Sequence, residues 1–257
     1  MCYDISYKSN LRLVAEYIKE LQFDPQLELA FDGTHIMGHA YGLHPIIYQN
    51  RDDKMLHCVP MEWGCIPYYV KDLEKFKRQR ATMLNARSER ILQDETSYWY
   101  KIRNRRCLIP VTGFYEHREI AGWKKKVPYF IKLKGQELFF IAGLYSVAKF
   151  PDPETAEELQ RWTFTLITRD ANSIMKLIHN GGDNAGRMPL MLSTDMAMEW
   201  VREDLSPERM AEILAFEMPS ENLDYWPVFT IRSPKGRPDE KEKNEPWEWE
   251  GLPELMD

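Results

Sequence analysis

Residues 105–117 carry the sequence RRCLIPVTGFYEH, in which a short apolar run is followed by Gly113 and then by a second, aromatic run. Short runs rich in β-branched and aromatic residues are typical of strands. Comparable runs recur from Ala40 onward, in HPIIYQ, KMLHCVPMEWGCIP, VPYFIKLK, ELFFIAGLYSVA and WTFTLITRD. The sequence therefore predicts a core built mainly from β-strands.

Helix signals flank this series of strands. Near the N-terminus, apolar residues recur at helical spacing after Ser9, at Leu11, Val14, Tyr17, Ile18 and Leu21. Later, Asp170 is predicted to cap a helix over ANSIMKLIHN, and a serine begins each of the segments STDMAMEW and SPERMAEILAF. We expect an α+β fold: a single domain over residues 1–232 with a mixed, barrel-like β-sheet core flanked by helices, followed by a polar acidic tail over residues 233–257.

The composition excludes several classes of protein. With 257 residues, 44% of them hydrophobic, the chain is long enough to bury a sizeable core. It has no export signal at its start and no apolar run as long as a membrane span, so we expect a cytoplasmic protein without membrane contact. The cysteines form no C-x-x-C pair, which argues against a zinc ribbon, and a reducing compartment argues against a disulfide framework.

The charge distribution leaves nucleic-acid binding open. A net charge of −6 counts against a nucleic-acid partner, but it hides basic clusters in KRQR (77–80), RNRR (103–106) and at Lys124, Lys125 and Lys126. Short charge runs of this kind are also common on ordinary solvated surfaces. The pattern alone does not decide between the two.

Two polar residues are candidates for chemistry. Glu116 follows the apolar run CLIPV and Gly113, which places it near the mouth of a buried strand where the pKa of a carboxyl group is raised. Such a carboxyl is a usable general acid, although a strand-end glutamate in solvent fits the same pattern. Asn85 in LNARSER is suited to orient an amine or a carbonyl group, and is equally compatible with a cap or a turn.

The histidines and Trp63 have competing structural explanations. His179 falls in the last turn of its predicted helix, where the helix dipole favours a cation. His35 and His39 have the i, i+4 spacing of metal ligands and His44 lies nearby, but no helix is predicted there and no acidic partner has ligand spacing, so we expect no metal site. Trp63 fits a core aromatic, with base stacking as the alternative.

Cys2 stands directly after Met1. A terminus is usually the least ordered part of a domain, so this placement is compatible with an accident of sequence. If Met1 is removed, however, Cys2 gains a free α-amine beside its thiol. The resulting 1,2-aminothiol is a reagent that no internal cysteine supplies.

The motifs resemble a known family when they are taken in order. MC at the N-terminus, then MEWGCIP, NARSER, RRCLIPVTGFYEH, PYFI, FFIAGLY, and IH followed by RMPLML are similar to the SOS response-associated peptidase (SRAP) family, from Met1 to about Leu192. That family includes bacterial and human proteins that crosslink themselves to abasic sites in single-stranded DNA.

The resemblance implies a function and a set of site residues. It implies a covalent thiazolidine between Cys2 and the aldehyde of an abasic site, which shields the lesion in the DNA damage response, together with lyase and autoproteolytic peptidase activity. It assigns Cys2 as the nucleophile, Asn85 to orient the amine, and Glu116 and His179 to proton transfer. It assigns DNA binding to Arg87, Arg187, Trp63 and Pro45. No cofactor is implied, and we expect a monomer that is associated with the nucleoid when it is bound to DNA.

Two departures from the family pattern bear on this assignment. Tyr3 and Asp4 stand where the family usually has Gly-Arg, which predicts the loss of a phosphate contact and a negative charge beside the site. NGGDNAG separates His179 from Arg187 where the family has a single residue. An N-terminal-nucleophile amidohydrolase or cysteine peptidase, and a non-catalytic module that binds single-stranded DNA, remain alternatives.

Overall fold

The computed structural model describes residues 2–8, 11–28, 33–151, 158–233 and 236–255. The strands within these ranges are β1 (Asp4–Tyr7), β2 (Gln22–Phe23), β3 (Gly33–Met37), β4 (Leu43–Gln49), β5 (Leu56–Trp63), β6 (Asn85–Arg87), β7 (Arg106–Val111), β8 (Gly113–Arg118), β9 (Val127–Leu133), β10 (Phe139–Pro151), β11 (Glu158–Asp170), β12 (Arg187–Pro189), β13 (Met191–Leu192) and β14 (Leu223–Pro227). The helices are α1 (Leu11–Tyr17), α2 (Leu73–Arg80), α3 (Glu89–Leu92), α4 (Tyr98–Lys101), α5 (Ser173–Ile178), α6 (Thr194–Val201) and α7 (Pro207–Ala215).

The larger sheet closes on itself as a barrel. Its path runs from β11 through β10, β7 and β4 to β5, and every neighbouring pair along this path is antiparallel. β5 then pairs in parallel with β11, so that Trp63 lies opposite Phe164. Because the first and last strands of the path are hydrogen-bonded to each other, these five strands form a closed ring.

Alternate residues of the barrel strands belong to different buried clusters. Ile47 and Leu108 share one cluster with apolar residues of α1, α6 and α7. Ile46 and Ile109 share the other with Phe114 of β8. Since successive side chains of a strand point to opposite faces, the first set faces the helices outside the barrel and the second set fills its interior.

A second, antiparallel sheet has the strand order β14, β9, β8, β1, β3 and lies against the barrel. The chain passes from one sheet to the other at Thr112, the single residue between β7 and β8. The amide N–H of Thr112 donates to the carbonyl of Ser6 in β1 (2.8 Å). The segment RRCLIPVTGFYEH, predicted as β-structure, therefore forms two strands and the connection between the barrel and the second sheet.

The structure confirms the predicted α+β class with a mixed, barrel-like sheet and flanking helices. α6 and α7 begin at the predicted serines, and the N-terminal helix is present as α1. The cap predicted at Asp170 is wrong: Asn172, which directly precedes α5, accepts a hydrogen bond from the Met175 amide (2.9 Å). Asp170 instead ends β11 and pairs with Arg187 (2.7 Å).

The tail residues described by the structure, 236–255, contact the rest of the chain. Trp249 donates a hydrogen bond from its indole to the carbonyl of Val228 (3.0 Å), and the ring of Trp247 packs edge-on against Phe229 at 4.7 Å between centroids. Arg118 of β8 donates to the carbonyl of Pro253 (2.6 Å). The domain boundary at residue 232 stays a prediction. No helix in the described ranges combines the length and apolar character needed to cross a membrane.

Gly113 allows the close approach of β8 and β9. A Cβ at this position would lie 2.1 Å from Cζ of Phe130, whose ring is only 2% exposed and has little room to move. We expect Gly113→Ala to lower the free energy of unfolding by about 1–3 kcal/mol, because overpacking displaces buried groups. Gly42→Ala is the matched control: its Cβ would meet nothing within 4 Å. Urea unfolding measures both, and equal losses in the two variants would contradict this account of Gly113.

Candidate active site

An open cleft lies where β1 and β8 meet the loop that follows α5. Its volume is about 490 Å³. The residues that line it are Tyr3, Asp4, Glu116, His117, Lys125, Lys126, His179, Gly181, Gly182, Asp183, Asn184, Thr230 and Arg232. Both predicted proton-transfer residues, Glu116 and His179, are therefore brought together.

Glu116 is a buried carboxyl group near the end of β8. The residue is 5% exposed, and burial raises its pKa to about 8 because the charged form is poorly solvated there. Oε1 has no hydrogen-bond partner among the described residues. At neutral pH Glu116 is consequently an uncharged acid with a proton to donate.

His179 directly follows α5 and faces Glu116. Its Nδ1 lies 2.7 Å from the carbonyl oxygen of Arg187, and since a carbonyl only accepts, Nδ1 carries the hydrogen. Burial lowers the pKa of His179 to about 4, so the ring is neutral at neutral pH and Nε2 is a basic nitrogen. Nε2 lies 3.7 Å from Oε2 of Glu116. This approach joins two neutral groups, an acid and a base, rather than an ion pair.

Cys2 is fully buried, in the cluster that fills the barrel interior. Its Sγ lies 3.7 Å from the backbone carbonyl of Asp4. Burial, together with the charges of Glu116 and Asp4, raises the pKa of the thiol well above its usual range. The thiol is therefore protonated at neutral pH, and a reaction at sulfur requires a base.

Asn85 begins β6, where it pairs in register with Leu166 of β11. It is 5% exposed, and neither its amide nitrogen nor its amide oxygen has a partner among the described residues. A buried polar atom without a partner costs about 1–3 kcal/mol, and such atoms are uncommon in folded proteins. Asn85 thus retains an unused donor and an unused acceptor, as a residue that binds a ligand would.

The two arginines predicted to contact DNA differ in their surroundings. Arg87 is exposed and donates to the side chain of Asn184 (3.2 Å), which lines the cleft. Arg187 is 6% exposed, and its guanidinium binds Glu89, Asp170 and the carbonyl of Thr168. A phosphate therefore has direct access to Arg87, whereas at Arg187 it would compete with two carboxylates.

Trp63 and Pro45 are both buried. The indole of Trp63 is 1% exposed, donates to the carbonyl of Leu84 (3.0 Å) and stacks against Phe164 at 5.9 Å. Pro45 lies within β4, opposite Pro60 of β5. In this conformation both residues belong to the core, and their predicted contact with bases stays a prediction that requires the rings to become exposed.

The histidines considered as metal ligands have separate partners. His35 binds the carboxylate of Asp4 (Nε2 to Oδ1, 2.8 Å), and His44 lies 2.8 Å from the carbonyl oxygen of Pro110. His39 packs against the ring of Tyr3 at 4.8 Å. The described ranges contain no group of three or more His, Cys, Asp and Glu side chains placed to hold a metal ion.

Sequence reasoning missed the surroundings of Asp4. Its carboxylate is buried and accepts hydrogen bonds from His35 and Arg232. Burial opposes ionisation, but these hydrogen bonds lower the pKa of Asp4 below its ordinary value. The negative charge predicted beside the site is therefore paired. No sequence pattern pairs residue 4 with residue 232. Had a buried strand been predicted over Asp4, its carboxylate would have indicated that a cationic partner lies elsewhere in the chain.

The basic clusters have mixed roles. In KRQR, Arg80 pairs with Glu62 (2.6 Å), and in RNRR, Arg106 is buried and donates to the carbonyl of Trp200 (2.8 Å). Both arginines therefore stabilise the fold. Lys125 and Lys126, in contrast, line the cleft.

Comparison with known proteins gives a consistent result. The sequence model of the family described as SOS response associated peptidase (SRAP) matches residues 10–231, a range that begins after Cys2. The chain is 33% identical over 177 residues to abasic site processing protein YoaM of Bacillus subtilis, an alignment that covers 68% of this chain and 70% of YoaM. It is 28% identical over 235 residues to abasic site processing protein HMCES of Gallus gallus, covering 84% of this chain and 65% of HMCES.

Solved structures agree with this result. The X-ray structure of a protein from Bacteroides thetaiotaomicron superposes with a TM-score of 0.75 at 27% identity, and the match covers 95% of this chain and 97% of that one. A second X-ray structure, of a protein from Bordetella bronchiseptica, superposes with a TM-score of 0.68 at 18% identity, and this shows a shared fold alone.

The pKa of Glu116 predicts how stability depends on pH. Between the unfolded pKa of Glu116, about 4.5, and its folded pKa, about 8, the folded state holds a proton that the unfolded state has lost, so stability falls as the pH rises. His179, whose pKa is lowered, makes stability rise with pH, but only below about pH 6.5. We therefore expect the free energy of unfolding of Glu116→Gln, relative to the natural chain, to rise by about 1–2 kcal/mol between pH 6.5 and pH 8.

Urea unfolding at the two pH values measures this difference. Glu221→Gln, at an exposed position, is the control and should give the same difference from the natural chain at both pH values. A pH-independent effect of Glu116→Gln would mean that the carboxyl group is already ionised at pH 6.5.

Proposed function

The chain belongs to the SOS response-associated peptidase family, and we propose that it binds single-stranded DNA and captures the aldehyde of an abasic site through Cys2. In this proposal, removal of Met1 exposes the α-amine of Cys2. Amine and thiol then form a thiazolidine with the open-chain deoxyribose, and the covalent protein shields the lesion. The relatives named as abasic site processing proteins support the substrate class.

The 3.7 Å approach of Glu116 to His179 in the cleft is the observation that carries the proposal. A 1,2-aminothiol needs an acid to assist loss of water from the first adduct and a base to take the thiol proton. A protonated Glu116 and an unprotonated His179, 3.7 Å apart, supply these roles at the same pH. A raised thiol pKa in Cys2 makes the base necessary.

The proposed reaction consists of two additions. The amine nitrogen of Cys2 bonds to the aldehyde carbon to give a carbinolamine. Glu116 protonates the departing hydroxyl, which leaves as water, and its carboxylate then takes the N–H proton of the resulting iminium, so that a neutral imine forms and Glu116 is protonated again. The sulfur then bonds to the imine carbon, while the thiol proton passes through His179 to the nitrogen. The net change is aldehyde plus aminothiol to thiazolidine plus one water. The second addition is intramolecular, which gives it a large effective concentration.

The proposed DNA contacts follow from exposure. Arg87 is accessible at the edge of the cleft, and Asn85, two residues before it, offers an unused amide to the reacting groups. Arg187 would bind a phosphate once that phosphate has displaced the carboxylate of Glu89. Phosphate contacts position any strand, whereas only an abasic sugar has an aldehyde, so selectivity for damage needs no base contact.

Amide hydrolysis is the competing function. The same unused amide of Asn85 is suited to an oxyanion hole, and the family's description contains the word peptidase. An amidohydrolase would use the sulfur of Cys2 and would release a product from a peptide substrate. Lasting capture of an abasic strand is what distinguishes the proposed reaction from this one.

The aminothiol mechanism predicts the behaviour of two N-terminal variants. A chain with any residue before Cys2 has an amide in place of the amine, so it should form no stable adduct although its thiol is intact. Cys2→Ser, after removal of Met1, should form an imine that borohydride traps, but a less durable adduct. Intact mass after incubation with a single strand carrying one abasic site measures both. A stable adduct on the extended chain would favour the thiol-only, peptidase-like mechanism.

Glu116→Gln tests the proposed acid. The substitution keeps the shape of the side chain and removes its proton, so single-turnover adduct formation should slow about 100-fold or more at neutral pH. In the natural chain the rate should also fall above about pH 8, where Glu116 ionises, and this fall should be absent from the variant. Glu221→Gln serves again as the control. An unchanged rate would leave Glu116 a purely structural carboxyl group.

A further inference from the structure

A half-exposed guanidinium lies at the mouth of the cleft. Arg232 belongs to the segment that follows β14, and its side chain is 46% exposed. It lines the cleft together with Glu116 and Lys126. Neither the motifs of the sequence nor the chemistry proposed above gives this arginine a role.

One edge of this guanidinium is fixed by a buried carboxylate. Asp4, whose side chain is 3% exposed, accepts hydrogen bonds from Nε (3.1 Å) and from Nη2 of Arg232. His35 donates to the same carboxylate from Nε2 (2.8 Å). Lys243 lies 3.3 Å from Nδ1 of His35 and can only donate, so Nδ1 accepts and Nε2 carries the hydrogen that Asp4 receives.

The other edge of the guanidinium remains available. Arginine has five N–H groups in a planar fork, and Asp4 uses two of them. Among the described residues, Nη1 and the second hydrogen of Nη2 have no hydrogen-bond partner. A pair of parallel N–H groups held in one plane matches two oxygens of a phosphate group.

The surrounding charges favour an anion at this edge. The carboxylate of Asp4 is buried while the guanidinium faces solvent, so the positive end of the pair is the one that a ligand meets. Lys125 and Lys126 line the same cleft, Lys126 with its charge paired to Glu119 (2.5 Å), and Glu116 is uncharged at neutral pH because burial raises its pKa to about 8. Asp183 is the opposing acidic side chain in the lining, and it lies on the loop that follows His179.

The geometry points to Arg232 as the residue that binds a phosphate attached to the reacting sugar, with Asp4 and His35 as positioning residues. The inference rests on the proposed function, because it takes the sugar to react at Cys2. The ion pair between Asp4 and Arg232 then has a role at the cleft, because it holds the guanidinium in a fixed position beside the reacting groups.

Small sugars isolate this contact from the other phosphates of a strand. 2-Deoxyribose 5-phosphate and 2-deoxyribose 3-phosphate each differ from 2-deoxyribose by one phosphate, and all three have an open-chain aldehyde form. The quantity measured is the adduct rate constant of each phosphorylated sugar divided by that of 2-deoxyribose, by intact mass. The aldehyde content of each sugar is the same for every variant, so it cancels when variants are compared. Any change that Arg232 exerts on the acidity of Glu116 affects all three sugars and cancels within the ratio.

Arg232→Gln should lower this ratio about tenfold for at least one phosphorylated sugar, as expected for the loss of one charge-assisted contact. Arg232→Lys keeps the charge without the fork and should give an intermediate ratio. Asp4→Asn should also lower the ratio, and adding it to Arg232→Gln should have no further effect. Lys124→Gln, a nearby exposed lysine outside the cleft lining, is the matched control and should leave the ratio unchanged.

The outcomes separate this inference from the proposed function. If the natural chain reacts and Arg232→Gln leaves both ratios unchanged, the phosphate contact is refuted while the reaction stands. If the natural chain reacts with no sugar, the abasic-strand assay decides the proposed reaction, and affinity for an unmodified single strand decides the contact. Arg232→Gln should then reduce the slope of log affinity against log salt concentration by about 0.7, and an unchanged slope overturns the inference.

Discussion

The parallel pairing of β5 with β11 closes the barrel, and the positions of Glu116 and His179 depend on it. Trp63 lies opposite Phe164 in this pairing, and the two buried rings stack on each other. A closed ring leaves its strands no freedom to slide past one another, because a shift would break hydrogen bonds on both sides. The end of β7 therefore has a fixed position, and this fixes the start of β8, the strand that contains Glu116. The end of β11 likewise fixes the start of α5, the helix that His179 directly follows.

Burial then gives these two residues their chemistry. Removing a group from water favours its neutral form, so one cause raises the pKa of the glutamate and lowers that of the histidine. The rise in the pKa of Glu116 from 4.5 to about 8 corresponds to about 5 kcal/mol of lost solvation for the charged form. This exceeds the net contribution of a typical hydrogen bond several-fold. The site therefore depends on packing elsewhere, in the barrel interior beside it and in the cluster between the barrel and the helices, to offset this cost.

Sequence patterns predicted what depends on neighbouring residues along the chain. The long strands of the barrel have apolar runs and alternation, and both serine caps act within one helical turn. The mistaken cap shows the limit: Asp170 and Asn172 are both good caps, and the decision between them is made by where β11 ends. β1 was not predicted because it has only four residues, and its burial comes from the strands on its two sides, β8 and β3.

For the candidate site, too, the sequence predicted what depends on neighbouring residues and not what depends on three-dimensional packing. Glu116 follows an apolar run, a pattern that a strand-end glutamate in solvent also fits, and the resemblance to a family singled it out from other glutamates. Its closeness to His179, which directly precedes a seven-residue segment where the family pattern has a single residue, is a fact of three-dimensional packing. The pairing of Arg187 with Glu89 joins residues from distant parts of the chain, and local patterns carry no information about it.

The remaining constraint is the order of the N-terminus. Chain termini usually fray, yet the proposed reaction needs the second residue of the chain to be held against an acid and a base. β1 lies between β8 and β3 rather than at an edge, so it is hydrogen-bonded on both sides. Asp4 adds a side-chain attachment, because a buried carboxylate without His35 and Arg232 would be strongly unfavourable. The same ion pair that orients a cation at the cleft thus also fixes the strand that carries Cys2, and a substitution that loosens the pair would disturb both at once.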